Sequence, residues 1–263
     1  WLDFNMFQSG HETGIRPMDV LSTETGKMNP PKPFVNGEPA YEDIAIKFWE
    51  YLDFSQPGPQ RAPPGVLDSS GLIARPEHFA LGFVQPGDVR RQAYMTFLLG
   101  AAGYTYGNNA IWQMFKIDGE IALPTLTDWR TALDRPGAQS MRHLRNFWST
   151  RPLGQLRPAP EILVEAPEPK DGYPSLAGRA ADGSYLLVLL PHGGEVRVDI
   201  ASLRTPRHRA WWFNPRDGST QEALQSTSST ATPRTFTAPV PLQDWVLVID
   251  ALDSDYPPPR QTP

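Results

Sequence analysis

Two periods of apolar residues share the first half of the chain. Trp1-Leu2-Asp3-Phe4-Asn5-Met6-Phe7 alternates as a strand does and runs into Gln8-Ser9-Gly10-His11. Pro33-Phe34-Val35-Asn36-Gly37-Glu38 is a short apolar run that stops at a glycine and a carboxylate, which reads as a buried strand with a tight exit. Tyr104-Thr105-Tyr106-Gly107-Asn108-Asn109-Ala110-Ile111-Trp112-Gln113 repeats that theme with aromatic and amide side chains. Between these strands the spacing turns helical. Residues 43–54 set Ile44, Phe48, Tyr51 and Leu52 three and four apart, and Asp88 caps a predicted helix carrying Val89, Ala93, Phe97 and Ala101. Residues 129–148, interrupted at Pro136-Gly137, predict two short helices. Three polar strand ends separated by helices describe one rim of a parallel α/β barrel, and in such folds the carboxyl ends of the strands carry the chemistry.

Past Arg157-Pro158-Ala159-Pro160 only strand patterns and turn signals remain. Strands are predicted over 161–165, 184–190, 195–200, 208–213, 234–238 and 245–249. Asp182-Gly183, Gly193-Gly194 and Asn214-Pro215-Arg216-Asp217-Gly218 supply the reversals. The expected architecture is therefore α/β plus all-β, with residues 1–157 forming barrel and 158–252 a small antiparallel β-sandwich of roughly ninety residues, long enough to hold its own core. Residues 253–263 form a proline-rich tail, read as a linker or frayed end. Residues 55–87 are long, proline-rich and aperiodic; such a loop walls a pocket or is a variable surface insertion.

Composition narrows the function classes. A net charge of −5, with scattered Lys and Arg, argues against a nucleic-acid binder. No apolar run is long enough to span a bilayer. The absence of cysteine removes disulfides, thiolate metal sites and a cysteine nucleophile. No histidine or acid stands at metal-ligand spacing from His11, so neither a metal nor a cofactor is expected. Ser9 beside His11 lacks a nucleophile-elbow pattern, and no phosphate-binding glycine loop is present. Trp1 opens the chain inside a strand pattern, with neither a methionine start nor a signal-like segment, which predicts a missing upstream part.

Glycoside hydrolysis requires two carboxyl groups facing across a sugar. Glu38, at a strand end, fits the nucleophile or base; the competing reading is a capping or ion-paired glutamate. Tyr41, Tyr106 and Trp112 suit the apolar face of a sugar, and Gln8, His11, Asn108 and Asn109 its hydroxyls, although core packing is the ordinary role of any single aromatic.

Four motifs carry a family resemblance: residues 2–11, residues 36–42, Asp88-Val89-Arg90-Arg91-Gln92-Ala93-Tyr94, and residues 103–113. In that order they resemble the apiosidase-like glycoside hydrolases, and Trp211-Trp212-Phe213-Asn214-Pro215-Arg216-Asp217-Gly218 resembles the β-sandwich, named for collagen binding, that accompanies them. The resemblance implies the C-terminal portion of a (β/α)8 TIM barrel, hydrolysis of O-glycosyl bonds in plant or microbial polysaccharide, a carbohydrate partner, and an extracellular or periplasmic location. It places Glu38 as nucleophile of a retaining enzyme, Gln8, His11, Tyr41, Glu42, Tyr106, Asn108 and Trp112 in the sugar pocket, and the acid/base upstream. Tyr104 and Asn108 depart from the pattern, which expects histidine there, and Arg90 and Arg91 read as structural ion-pair partners. The alternative is a non-catalytic carbohydrate- or matrix-protein-binding protein with a degenerate barrel.

Overall fold

The computed structural model describes residues 2–228 and 233–259; Trp1 and the last four residues of the predicted tail lie outside them. The first half is built on a parallel three-stranded sheet in the order β1 (Asn5–Gln8), β2 (Phe34–Glu38), β3 (Gly103–Tyr104). Helix α1 (Arg16–Gly26) connects the first two strands and α2 (Pro86–Leu98) precedes the third. Helix α2 starts with a capping box: the Asp88 side chain accepts the Gln85 backbone N–H at 2.9 Å, and the Gln85 side chain answers. Beyond β3 come α3 (Asn109–Trp112), α4 (Trp129–Ala132) and α5 (Pro136–Trp148). Among the described residues no helix is long and apolar enough to cross a membrane.

Residues 43–54 do not form the predicted helix. Asp43 (φ 66°) and Lys47 (φ 52°) are left-handed, and Asp43, Ile44 and Ile46 exchange backbone bonds with Val84 and Gly82 instead. Only Phe48–Glu50 closes a 3-10 turn. The three-and-four spacing still finds a use, because Ile44, Phe48, Tyr51 and Leu52 pack with Ala62, Val66, Phe79 and Val84 from residues 55–87. That loop is consequently ordered around a core of its own.

The second half holds two antiparallel sheets. Strands β4 (Leu156–Pro158), β6 (Leu176–Ala180), β7 (Tyr185–Leu190), β9 (Arg207–Phe213), β10 (Thr220–Ser228) and β12 (Trp245–Ala251) form the larger, ordered β10-β9-β12-β7-β6-β4. Strands β5 (Leu163–Glu165), β8 (Glu195–Val198) and β11 (Arg234–Thr237) form the smaller, ordered β11-β8-β5. Leu186, Val188, Leu190, Trp212, Leu247 and Ile249 point into the space between the sheets. The opposite face of the larger sheet is also buried. Tyr185, Leu187, Leu189, Phe213, Val246 and Val248 meet Tyr94, Phe97 and Leu98 of α2 and Leu144 and Phe147 of α5. Every residue of β7 and β12 is buried, as expected of strands covered on both faces.

Two buried ion pairs cross the same contact. Arg90 of α2 holds Asp244 bidentately (Nε–Oδ2 2.6 Å, Nη2–Oδ1 2.9 Å), and Arg151 holds Asp250 (Nη2–Oδ2 2.5 Å, Nε–Oδ1 3.0 Å). Arg91 bonds Asp88 at 3.0 Å, so both arginines of the α2 motif are ion-paired. The first residues of the tail are tied down. Pro257 O accepts Arg151 Nη2 at 3.1 Å, and the Tyr256 hydroxyl donates to Ser184 Oγ at 3.1 Å.

Candidate active site

Glu38 stands at the carboxyl end of the central parallel strand, opposite Gln8 in the register, with its side chain 39 % exposed. His11 Nε2 lies 3.5 Å from Glu38 Oε1. The other ring nitrogen, Nδ1, accepts the Tyr41 backbone N–H at 3.4 Å, so the ring proton belongs on Nε2, facing the carboxylate. Burial lowers the His11 pKa, against the opposing pull of Glu38, and the imidazole is neutral at pH 7. Tyr41 packs edge-on against His11 at 4.6 Å. Burial and then the nearby Glu38 charge raise its pKa, which keeps the phenol protonated beside the carboxylate. Tyr41 reaches this position because residue 107 is glycine: a Cβ there would stand 2.0 Å from Tyr41 Cδ1. The cluster therefore consists of one accessible carboxylate beside a neutral imidazole and a protonated phenol.

Glu42 is different. It is fully buried, accepting the Tyr106 hydroxyl at 2.6 Å and the Gly137 N–H at 3.0 Å. Burial raises its pKa despite those two bonds. Burial, and next the bond to Glu42, holds the Tyr106 phenol well above its usual value. Behind them the left-handed Asp43 accepts Arg135 Nε at 2.6 Å and Asn108 Nδ2 at 3.2 Å. The Asn108 carbonyl meanwhile caps α3 through Ala110 N at 2.9 Å, leaving this buried amide occupied.

Of the residues predicted for the pocket, the structure gathers His11 and Tyr41 around Glu38 and pairs Tyr106 with Glu42. Gln8 is exposed beside Glu38 in the register. Trp112 is half exposed, its indole donating to Asn109 at 3.3 Å. The Tyr104 hydroxyl donates to Val89 O at 3.3 Å, away from Glu38. Asp43, Arg135 and the space-making Gly107 and Gly137 escaped the sequence reading. Arg135 lies 92 residues from Asp43, and no local spacing announces such a pair. Among the described residues no group of three or more His, Asp or Glu could hold a metal ion.

An accessible carboxylate thus stands at the central strand end of a parallel sheet, between an imidazole and a phenol, with an antiparallel β-sandwich apposed to the sheet's helices. The model "Apiosidase-like, catalytic domain" matches residues 1–155, and "Putative collagen-binding domain of a collagenase" matches residues 158–250. The chain belongs to the apiosidase-like glycoside hydrolase family. Among solved structures it is similar to a "Glycoside hydrolase" at 26 % identity and TM-score 0.74, covering 97 % of this chain and 54 % of that one. It is also similar to a glycoside hydrolase family 5 protein from Bacteroides vulgatus at 25 % identity and TM-score 0.76, covering 100 % of this chain and 54 % of that one. The chain thus spans about half the length of these two structures. No curated protein matches it.

Proposed function

We propose that this chain carries the nucleophile of a retaining glycoside hydrolase acting on plant or microbial polysaccharide, and that Glu38 is that nucleophile. The observation that carries the reading is the contrast between two neighbouring glutamates. Glu38 is open, with His11 beside it, whereas the Glu42 carboxylate is sealed against Tyr106 and Gly137. In the first step a Glu38 oxygen attacks the anomeric carbon, the glycosidic C–O bond breaks, and a second carboxyl group gives its proton to the leaving oxygen. In the second step that group takes a proton from water, the water oxygen bonds the anomeric carbon, and the bond to Glu38 breaks. His11 and Tyr41 flank the carboxylate and orient it, the His11 Nε2–H facing it at 3.5 Å.

The parallel strands are read as the last third of a (β/α)8 barrel. We place the acid/base on a strand beyond β1, in the part of the relatives' length that this chain does not span. Gln8, Tyr106, Asn108 and Trp112 complete the reading as pocket residues, Asn108 and Tyr106 acting through the groups they hold. The division at 157/158, with a tail from 253, and an extracellular or periplasmic site of action belong to the same proposal.

The test is Glu38→Gln in the full-length protein on a glycoside that the parent cleaves. Turnover falls by several orders of magnitude while binding survives, and azide restores part of it by occupying the vacated side. Glu42→Gln costs less, because it disturbs positioning rather than the attacking group. Near-normal turnover in Glu38→Gln removes Glu38 from the mechanism and favours the non-catalytic reading.

A further inference from the structure

The sandwich reaches the candidate site through one turn. Lys170-Asp171-Gly172-Tyr173 reverses the chain between β5 and β6, with Tyr173 N bonded to Lys170 O at 2.9 Å. Asp171 (φ 52°) and Gly172 (φ 76°) are both left-handed, the arrangement for which Asp-Gly is favoured. The Gly172 carbonyl accepts the Ile15 N–H at 3.0 Å. Gly14 (φ 88°) faces the same carbonyl so closely that a Cβ on it would stand 3.1 Å from Gly172 O, and one on Gly172 would stand 3.2 Å from Gly14 Cα.

The turn is rigidly seated. Tyr173, 1 % exposed, donates its hydroxyl to Asp88 Oδ1 at 3.0 Å, and the Arg91 guanidinium lies over its ring at 4.6 Å. The loop that it touches, residues 9–15, carries His11. Other contacts hold the rest of that loop: Asn36 Nδ2 donates to Ser9 Oγ at 3.0 Å, Gly10 N to Glu38 O at 3.2 Å, Gln92 Nε2 to Glu12 O at 2.9 Å and Lys47 N to His11 O at 3.1 Å, which leaves the Gly172 turn as the tether of its far end at Gly14 and Ile15. The 3.5 Å between His11 and Glu38 is at the outer limit for a hydrogen bond, so a few tenths of an ångström decide whether the contact exists.

We propose that the Asp171-Gly172 turn of the sandwich is a positioning element of the glycosidase site: by holding Gly14 and Ile15 it sets the placement of His11 against Glu38. This rests on the reading of Glu38 as nucleophile. It makes the sandwich a structural part of the site, whatever else its free surface binds.

The experiment compares Gly172→Ala and Gly14→Ala with Gly82→Ala in the full-length protein. Gly82 is equally left-handed (φ 73°) but has nothing within 4 Å of an added Cβ, so it reproduces the backbone strain without the collision. Gly172→Ala and Gly14→Ala push their neighbours by a few tenths of an ångström and lower kcat several-fold, short of the roughly hundredfold loss of a 1 Å misplacement, with little change in KM. Both displace the His11 ring signals in NMR spectra. Gly82→Ala lowers Tm but leaves kcat and those signals in place. Should the glycine variants fail to fold, Tyr173→Phe loosens the turn by removing only the Asp88 bond, and shifts kcat and the His11 signals in the same sense by less.

Unmoved His11 signals with full kcat in the variants that fold, or equal losses in Gly82→Ala, overturn the proposal. A parent protein that cleaves no glycoside overturns the hydrolase reading instead, and the His11 signals then decide the positioning alone.

Discussion

Arg151→Met removes a guanidinium whose side chain is 0 % exposed and strands the carboxylate of Asp250, itself 1 % exposed, between α5 and the larger sheet. Among the described residues Arg151 is the only charged group bonded to Asp250, although Arg209 stands opposite Asp250 in the register with its Nε unpartnered. Thr150 Oγ1 and Pro257 O lose a donor as well. Breaking one side of such a pair costs about 3–5 kcal/mol. For a domain of this size each kcal/mol moves Tm by about 2–4 °C, so the loss is roughly 10 °C. Arg90→Met should cost less, since Arg216 Nη1 stays 3.2 Å from Asp244 Oδ1.

The measurement is thermal unfolding followed by circular dichroism for Arg151→Met, Arg90→Met and the double variant Arg151→Met/Asp250→Leu. Because an apolar pair of similar volume can replace a buried ion pair at little cost, the double variant recovers most of the stability lost by the single one. A loss below about 1 kcal/mol in Arg151→Met, or a double variant as unstable as the single, refutes this account of the contact.

Two further outcomes follow from the same packing. Residues 158–252 produced alone should self-associate, since Tyr185, Leu187, Leu189, Phe213, Val246 and Val248 lose their cover, Asp250 loses Arg151 and Asp244 keeps only Arg216; a monomer with a sharp melt in size-exclusion and calorimetric runs contradicts this. Stability should fall as pH drops below about 6.5, because His11 and His208 have pKa values lowered by burial and the unfolded chain takes up protons that the folded one refuses. Their contribution is complete above the unfolded value and fades as pH falls toward the folded one. His208→Gln should flatten the slope of Tm between pH 7 and 5, and an unchanged slope excludes His208 as a source.

Much of this molecule is legible from periodicity, and the failures have local causes. Helices α2 and α5 and strands β7 and β12 announce themselves because their burial is regular. Residues 43–54 carry a helical spacing that two left-handed residues break, since the backbone there pairs with residues 82–84. Strand β3 is only two residues long, so alternation ends at Tyr104, and Asn108 turns inward as a helix cap. Strands β4, β6 and β10, and helix α1, are too short, too rich in small residues or too polar to signal a face. Glu38 was readable because a glycine and a strand end flag it. The network around Glu42 was not, because Arg135 and Gly137 reach it from a distant helix start.

Strand β12 belongs to two interiors at once: Trp245, Leu247 and Ile249 serve the sandwich, while Val246 and Val248 serve the helices. Its sequence is consequently written by two neighbours, one residue apart. A sandwich transplanted from a relative into this chain would bring a correct inner alternation and a foreign outer one. Recombining such proteins therefore calls for moving α2, α5 and β12 as a single block, with the seam placed in the loops around them rather than at the apparent boundary between the halves.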